Sequence, residues 1–421
     1  MTQDPTDTVR RNWAGNIAYG ARRMAEPRTL DELSELVAAE PRLRVLGSRH
    51  SFNDLADTDG VLVSLAAMAG DGDVRRIDER TIRVPAGIRY GDLVPTLQRW
   101  GVALANLASL PHISVGGAVQ TGTHGSGDRV GSLATQVSAV EMVCGTGERI
   151  RLERGQYDFD GAVVALGALG IVTHLDLDVE PTFDVAQSVW EGARWDDVLA
   201  NLDGVTSAGD SVSLFTTWQD REAIDQVWVK TRTATTVGEL SLPGVRPADG
   251  ERHPIPGIDP EPCTRQLGVP GPWFDRLPHF RLAFTPSVGD ELQTEYLVPR
   301  RDAVAAIEAV RAMAREVAPL LYVSEIRTMA GDDLWLSPAN GSPTVALHFT
   351  WKPDEVAVRR LLPRLEAALP ESARPHWGKV FTLAPEILVD RYPRWGDHTD
   401  LVSRLDPQRR FANPYLARLG L

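Results

Sequence analysis

In the stretch TVALHFTWK (344–352), apolar and polar side chains alternate with a period of two, a pattern that an extended strand sorts onto opposite faces. Val345, Leu347, Phe349 and Trp351 fall on one side; Ala346, His348, Thr350 and Lys352 fall on the other. LYVSEIRTM (321–329) carries Glu325 and Arg327 two apart, hence on a shared face. In ELQTEYLV (291–298), Gln293 and Glu295 oppose Leu292, Thr294, Tyr296 and Val298. Laid side by side, three such strands make a sheet with one apolar face and one wall of carboxylate, guanidinium, imidazole, amide and hydroxyl. That wall is either a half-solvated surface with salt bridges or a seat for a small ligand rich in hydroxyl groups, each of which donates and accepts.

Elsewhere strands and helices mix without strict alternation, which predicts an α+β fold rather than a doubly wound parallel sheet. TLDELSELVAAE (29–40) carries a capping box, Thr29 with Glu32, ahead of a helical stripe. Strands are expected over 42–47, 61–65, 80–87 and 171–179, with helices over 90–101 and 161–170. A hairpin turns at Gly145 to Gly147. After Pro181 the texture changes: residues 241–288 form a long Pro- and Gly-rich excursion, and one long amphipathic helix follows over 301–318. The expected division is a first domain over 1–181, completed by 375–421, and a second over 182–374.

With 44 Lys and Arg against 57 Asp and Glu, the chain carries a formal charge of −13, so a nucleic-acid partner is not expected. Two cysteines exclude a disulfide framework and point to a reducing, cytoplasmic setting. Arg10-Arg11 is followed by no apolar run, so no secretory leader is read there, and no stretch approaches the ~20 apolar residues of a membrane span. His112 and His124 lack zinc-ligand spacing and no metal site is expected. There is no Walker A loop, dinucleotide fingerprint or nucleophile elbow either.

Two glycine-rich stretches remain. In RVLGSRHSFN (44–53), small residues precede His50; in ASLPHISVGGAVQTGTHGSG (108–127), glycines and hydroxyls suit either a plain surface loop or close backbone approach to a diphosphate. HWGK (376–379) places His376 and Lys379 around one glycine.

Taken together, the histidine turn, the SLPHIS loop, GALGIVT, EIRT, HFTW and HWGK resemble the vanillyl-alcohol-oxidase-type flavoproteins, and within them the bacterial alditol (xylitol) oxidases, over nearly the whole chain. The resemblance implies a two-subdomain FAD-binding domain with an α+β cap built on an antiparallel sheet. It implies FAD bonded covalently to His50 and lined by Val45, Leu46, Gly47, Ser48, Arg49, Ser51, Ser109, Ser114, Gly117, Ala118, Thr121, Gly122, Ile171 and His376. Many relatives have glycine where this chain has Arg49; an ordinary backbone angle is expected there. By the same match Glu325 and Arg327 grip polyol hydroxyls, and Ser109, Gln293, His348 and Thr350 extend that surface. Lys379 stands beside the reacting alcohol, either as a neutral base or as a cation stabilising alkoxide. The implied reaction oxidises the terminal primary alcohol of xylitol, sorbitol or a similar alditol to the aldose, with O₂ reduced to H₂O₂, in a monomer. The alternative is an aldonolactone (gulono- or arabinono-lactone) oxidase or dehydrogenase.

Overall fold

The computed structural model describes residues 11–233, 240–284 and 291–421. Arg10 and residues 285–288 of the Pro-rich excursion lie outside them. The α+β expectation holds. Residues up to Pro181 build two main sheets. In the first, Val61–Val63 lies between Arg23–Ala25 and Leu43–Val45, all parallel. The second is antiparallel, in the order Arg75–Arg76, Thr81–Pro85, Gly170–Asp178, Val137–Cys144, Arg149–Glu153. Helix Leu30–Ala39 starts where the sequence places it, with the Thr29 side chain accepting from the Glu32 N–H.

A nine-stranded antiparallel sheet follows. Its centre runs Gln226–Arg232, Ser211–Thr216, Leu321–Met329, Thr344–Trp351, Leu292–Pro299. Helices Ala303–Ala312 and Glu355–Ala368 cover one face, where Ile307, Val310, Leu362 and Leu365 pack with Val345, Leu347, Phe349 and Trp351. The alternation read from the sequence is therefore real, and its apolar half is the floor of a core. One bulge makes it work in the middle strand. The register shifts between Leu321 and Val323, so Leu321 pairs with Trp351 on the helix side while Val323 pairs with Thr350 on the other. Without that extra residue, Leu321 would share a face with Glu325 and Arg327.

Three local expectations need correction. The helix read over 161–170 is only Phe159–Val163; the chain then turns through left-handed Leu166 (φ 58°) and Gly167 (φ 65°). The helix read over 301–318 breaks at Met313, whose ψ of 6° leaves helical geometry. Lys352 stands past the end of its strand, exposed, and donates to Pro319 O at 2.8 Å rather than joining the polar face.

The last segment packs with the first: Leu388, Tyr392, Trp395, Leu401, Phe411 and Tyr415 share one core cluster with Val84, Val140 and Leu175. Arg44 is the polar bolt across that junction. Buried, it donates to Leu55 O (2.7 and 3.1 Å), Leu166 O (2.8 Å), Gly167 O (2.9 Å) and Phe411 O (3.1 Å). The left-handed turn at 166–167 is thus held by its own carbonyls. Replacing Arg44 by Met leaves Leu166 O, Gly167 O and Phe411 O without their donor, while Leu55 O keeps the Asn413 side chain at 3.0 Å; at about 1–3 kcal/mol each, a loss of at least about 3 kcal/mol in urea-unfolding free energy is expected. A loss under about 1 kcal/mol would show the bolt to be dispensable.

Candidate active site

A cavity of about 630 Å³ separates the His50 turn from the polar wall of the large sheet. Backbone bonds clasp its two sides: Phe52 N–H donates to Gly378 O (2.7 Å), and the Asn53 side chain donates to Trp377 O and Lys379 O, both at 2.8 Å. The turn carrying His50 and the loop carrying Lys379 are therefore one rigid unit.

The wall is buried, not half-solvated: Glu295, Glu325 and Arg327 are 2 %, 5 % and 6 % exposed. Opposed residues share a face, so Phe215, Glu325, His348 and Glu295 form one row across four strands, and Val323, Thr350 and Gln293 another. Arg327 donates to Glu295 Oε1 at 2.5 Å and reaches Ser109 Oγ at 3.4 Å. Its Nε stands 3.6 Å from Glu325 Oε2 and, although buried, has no hydrogen-bond partner among the described residues. Burial pushes the Glu325 carboxyl upward, but Arg327 and His279 outweigh it and hold the group well below the usual carboxylate range. Glu295 is held low in the same way, by Arg327 and His124 against burial.

At the other end of the wall, only the amide nitrogen of Gln293 can donate to Glu291 Oε1 (2.6 Å), so its oxygen faces Lys379 and His348. Lys379 Nζ donates to that oxygen, and His348 Nε2 lies 3.2 Å from it. Lys379 Nζ is 3.3 Å from the same imidazole nitrogen. Burial pushes the Lys379 ammonium down to about 8 and the His348 ring down to about 3.

Across the cavity, Trp13 stacks on His50 with ring centroids 5.3 Å apart. The His50 Nδ1 atom is buried without a partner among the described residues, and burial pushes the ring down to about 4, so it is neutral at physiological pH. Ser114 Oγ is likewise buried and unpartnered among them. A Cβ at Gly47 or Gly117 would come within 2.6 or 2.8 Å of that oxygen, so the two glycines leave the Ser114 hydroxyl its present position.

Of the residues singled out by sequence, Val45, Leu46, Gly47, Ser48, Arg49, His50, Ser51, Ser109, Ser114, Gly117, Ala118, Thr121, Gln293, Glu325, Arg327, His348, Thr350, His376 and Lys379 all line this cavity. Gly122 and Ile171 do not. Gly122 serves a left-handed turn (φ 66°) against Pro338, and Ile171 points into the core while its strand neighbours Gly170 and Val172 line the cavity. The backbone of Arg49 is also corrected: its φ is 65°, the left-handed region, so this turn places arginine where glycine is the unstrained residue. Sequence reasoning gives no site role to Glu295, Trp13, Phe215, His124 or His279, all of which line the cavity. Glu295 was legible, two residues from Gln293 on the same face. The others have no periodic signal that points at the cavity.

Comparison with known proteins adds three findings. The FAD binding domain family matches residues 21–153, and the D-arabinono-1,4-lactone oxidase family matches residues 290–419. The chain is 48 % identical to an alditol oxidase from Streptomyces sp., over 97 % of this chain and 98 % of that protein. It is 28 % identical to L-gulono-1,4-lactone dehydrogenase of Mycobacterium tuberculosis, over 97 % and 98 %. Among solved structures, cholesterol oxidase from B. sterolicum shares the fold (TM-score 0.76, 16 % identity, 97 % and 96 % coverage).

Proposed function

The chain belongs to the FAD-binding oxidase family that includes alditol oxidase, and from that premise we propose that it oxidises the terminal primary alcohol of a neutral alditol such as xylitol or sorbitol to the aldose, with O₂ reduced to H₂O₂. The observation that carries this reading is the buried wall: Arg327 Nε, a donor without a partner among the described residues, stands beside the carboxylate oxygen of Glu325. A hydroxyl both accepts and donates, and so satisfies both groups at once. A row of hydroxyls along Gln293, His348, Thr350 and Ser109 extends the match. The division into a cofactor-binding part (1–181 with 375–421) and a cap (182–374) belongs to the same reading.

FAD fits the opposite side of the cavity. The unpartnered Ser114 Oγ and the glycine approach at Gly47 and Gly117 suit a pyrophosphate, and the neutral, unpartnered Nδ1 of His50 suits covalent attachment to the flavin ring. When bound, FAD accepts the hydride from the carbinol carbon and passes two electrons to O₂. The protein's own contribution is position and proton transfer. Glu325 and Arg327 fix the chain of hydroxyls so that only an end carbon faces the flavin side. Lys379 takes the hydroxyl proton: with its pKa lowered to about 8, a useful fraction is neutral near pH 7.5, and Gln293 aims its nitrogen into the cavity. His348 Nε2 lies beside both the Gln293 oxygen and Lys379 Nζ and keeps that aim.

The match of residues 290–419 to lactone oxidases supports aldonolactone oxidation as a second reading. A peroxide assay separates the two: kcat/KM for xylitol is expected to exceed that for L-gulono-1,4-lactone, and the reverse order would favour the lactone. In the same assay kcat/KM rises with pH and levels off above about 8, because neutral Lys379 is the active form. Lys379→Met lowers it by about 10²–10⁴-fold and flattens the rise. A fall in rate above that pH would instead mark a cationic role. Acid-precipitated protein is expected to stay yellow, and His50→Ala to release its colour into the supernatant; an equally yellow His50→Ala pellet would refute attachment there.

A further inference from the structure

The described part of the Pro-rich excursion has little regular structure, yet it delivers one ring, His279, into the wall of the cavity. His279 N–H donates to Ser109 O at 3.2 Å, and Thr264 N–H donates to His279 O at 2.9 Å, which docks the excursion against the SLPHIS loop. The His279 ring is then gripped edge-on by Phe215 (centroids 5.5 Å apart) and Trp228 (5.4 Å). Its Nε2 lies 2.7 Å from Glu325 Oε1, and its Nδ1 lies 3.1 Å from Lys230 Nζ.

Hydrogen counting fixes the direction of this chain. An ionised carboxylate only accepts, so His279 must carry its hydrogen on Nε2. Nδ1 is then an acceptor and Lys230 must donate to it. Lys230 Nζ also lies within donating distance of Leu277 O (2.5 Å) and Pro278 O (3.1 Å), which uses all three hydrogens of its ammonium form, although burial pushes its pKa down to about 7. Burial, and then Lys230, push the His279 ring down to about 4, which agrees with a neutral, single-tautomer imidazole. Lys230 lies two strands away from Glu325 in the sheet order and does not line the cavity, so it has no direct access to a substrate.

We propose that Lys230 and His279 are positioning residues for substrate binding: Lys230 holds the His279 ring in place by donating to Nδ1, and His279 Nε2–H clamps Glu325 Oε1 so that Oε2 is presented beside Arg327 Nε to a polyol hydroxyl. The excursion thereby sets alditol affinity without supplying a group to the reaction. This rests on the alditol reading above, and the test keeps the two apart.

The decisive comparison is His279→Gln against His279→Asn, both polar amides that differ by one methylene. Gln reaches the Nε2 position and can donate to Glu325; Asn reaches only the Nδ1 position and can bond Lys230 alone. The expected result is a KM for xylitol raised at least tenfold in His279→Asn with a smaller change in kcat, and mostly recovered in His279→Gln, with flavin content equal in both. Equal KM values in the two variants, or Asn binding better than Gln, would overturn the proposal. Imidazole ¹⁵N shifts of the substrate-free holoenzyme read the clamp directly: His279 is expected as the Nε2–H tautomer, and Lys230→Met is expected to move the Nδ1 shift to that of an acceptor without a donor. An Nδ1–H ring in the wild type would also overturn it. Absence of any alditol turnover by the wild type, with the Nε2–H signature intact, would sink the alditol reading and leave the clamp standing.

Discussion

Arg327 lies between Glu295 and Glu325 in a part of the sheet that solvent barely reaches. Removing three charges from water is costly, and mutual attraction offsets that cost only when the remaining lone pairs and hydrogens also find partners. The surrounding residues follow from that need. Both carboxylates only accept: His279 bonds Glu325, while Arg327 bonds Glu295 and the His124 ring stands 3.3 Å from it. The guanidinium Nε is left unmatched among the described residues, in a side chain that lines the cavity. A structure so heavily committed to pairing charges, yet left with one donor open, is built for a ligand that supplies the missing partner.

The two halves of the fold meet this demand differently. On the sheet side, the helices Ala303–Ala312 and Glu355–Ala368 fill the apolar face, so the polar residues have nowhere to turn except toward the cavity. The bulge before Val323 keeps that parity correct in the strand that matters most. On the side of the His50 turn, hydrogen bonds between distant segments, most of them from side chains to carbonyls, take the place of a large sheet. The clasp between 52–53 and 377–379 and the Arg44 cluster at the tail hold the His50 turn against its neighbours. The strained angle at Arg49 survives because the turn is held from both ends, including by Trp13 N–H on its carbonyl at 2.9 Å.

Alternation alone makes the wall legible in the sequence: parity assigns His348, Thr350, Glu325, Arg327 and Gln293 to one face, and they occupy it. Parity also explains a miss, since Ile171 is one residue out of phase with the cavity-lining Gly170 and Val172. The sign of φ at Arg49 was not legible, because a side chain does not announce a left-handed backbone. Lys230 and His279 were hidden for a different reason. One sits in a strand whose neighbours are apolar, and the other in a stretch dense in proline and glycine where no period exists to read. Their partnership is purely tertiary, joining residues 49 apart in the chain.

The central claim is that this wall and Lys379 together hold a polyol by its hydroxyls with one end carbon turned to the flavin side. A crystal structure of the holoenzyme with xylitol, trapped under anaerobic conditions, tests it most directly. The account requires the C1 hydroxyl within hydrogen-bond distance of Lys379 Nζ and an inner hydroxyl bridging Glu325 Oε2 and Arg327 Nε. A polyol lying away from the wall, or one whose end hydroxyl meets Glu325 while Lys379 touches nothing, would contradict it.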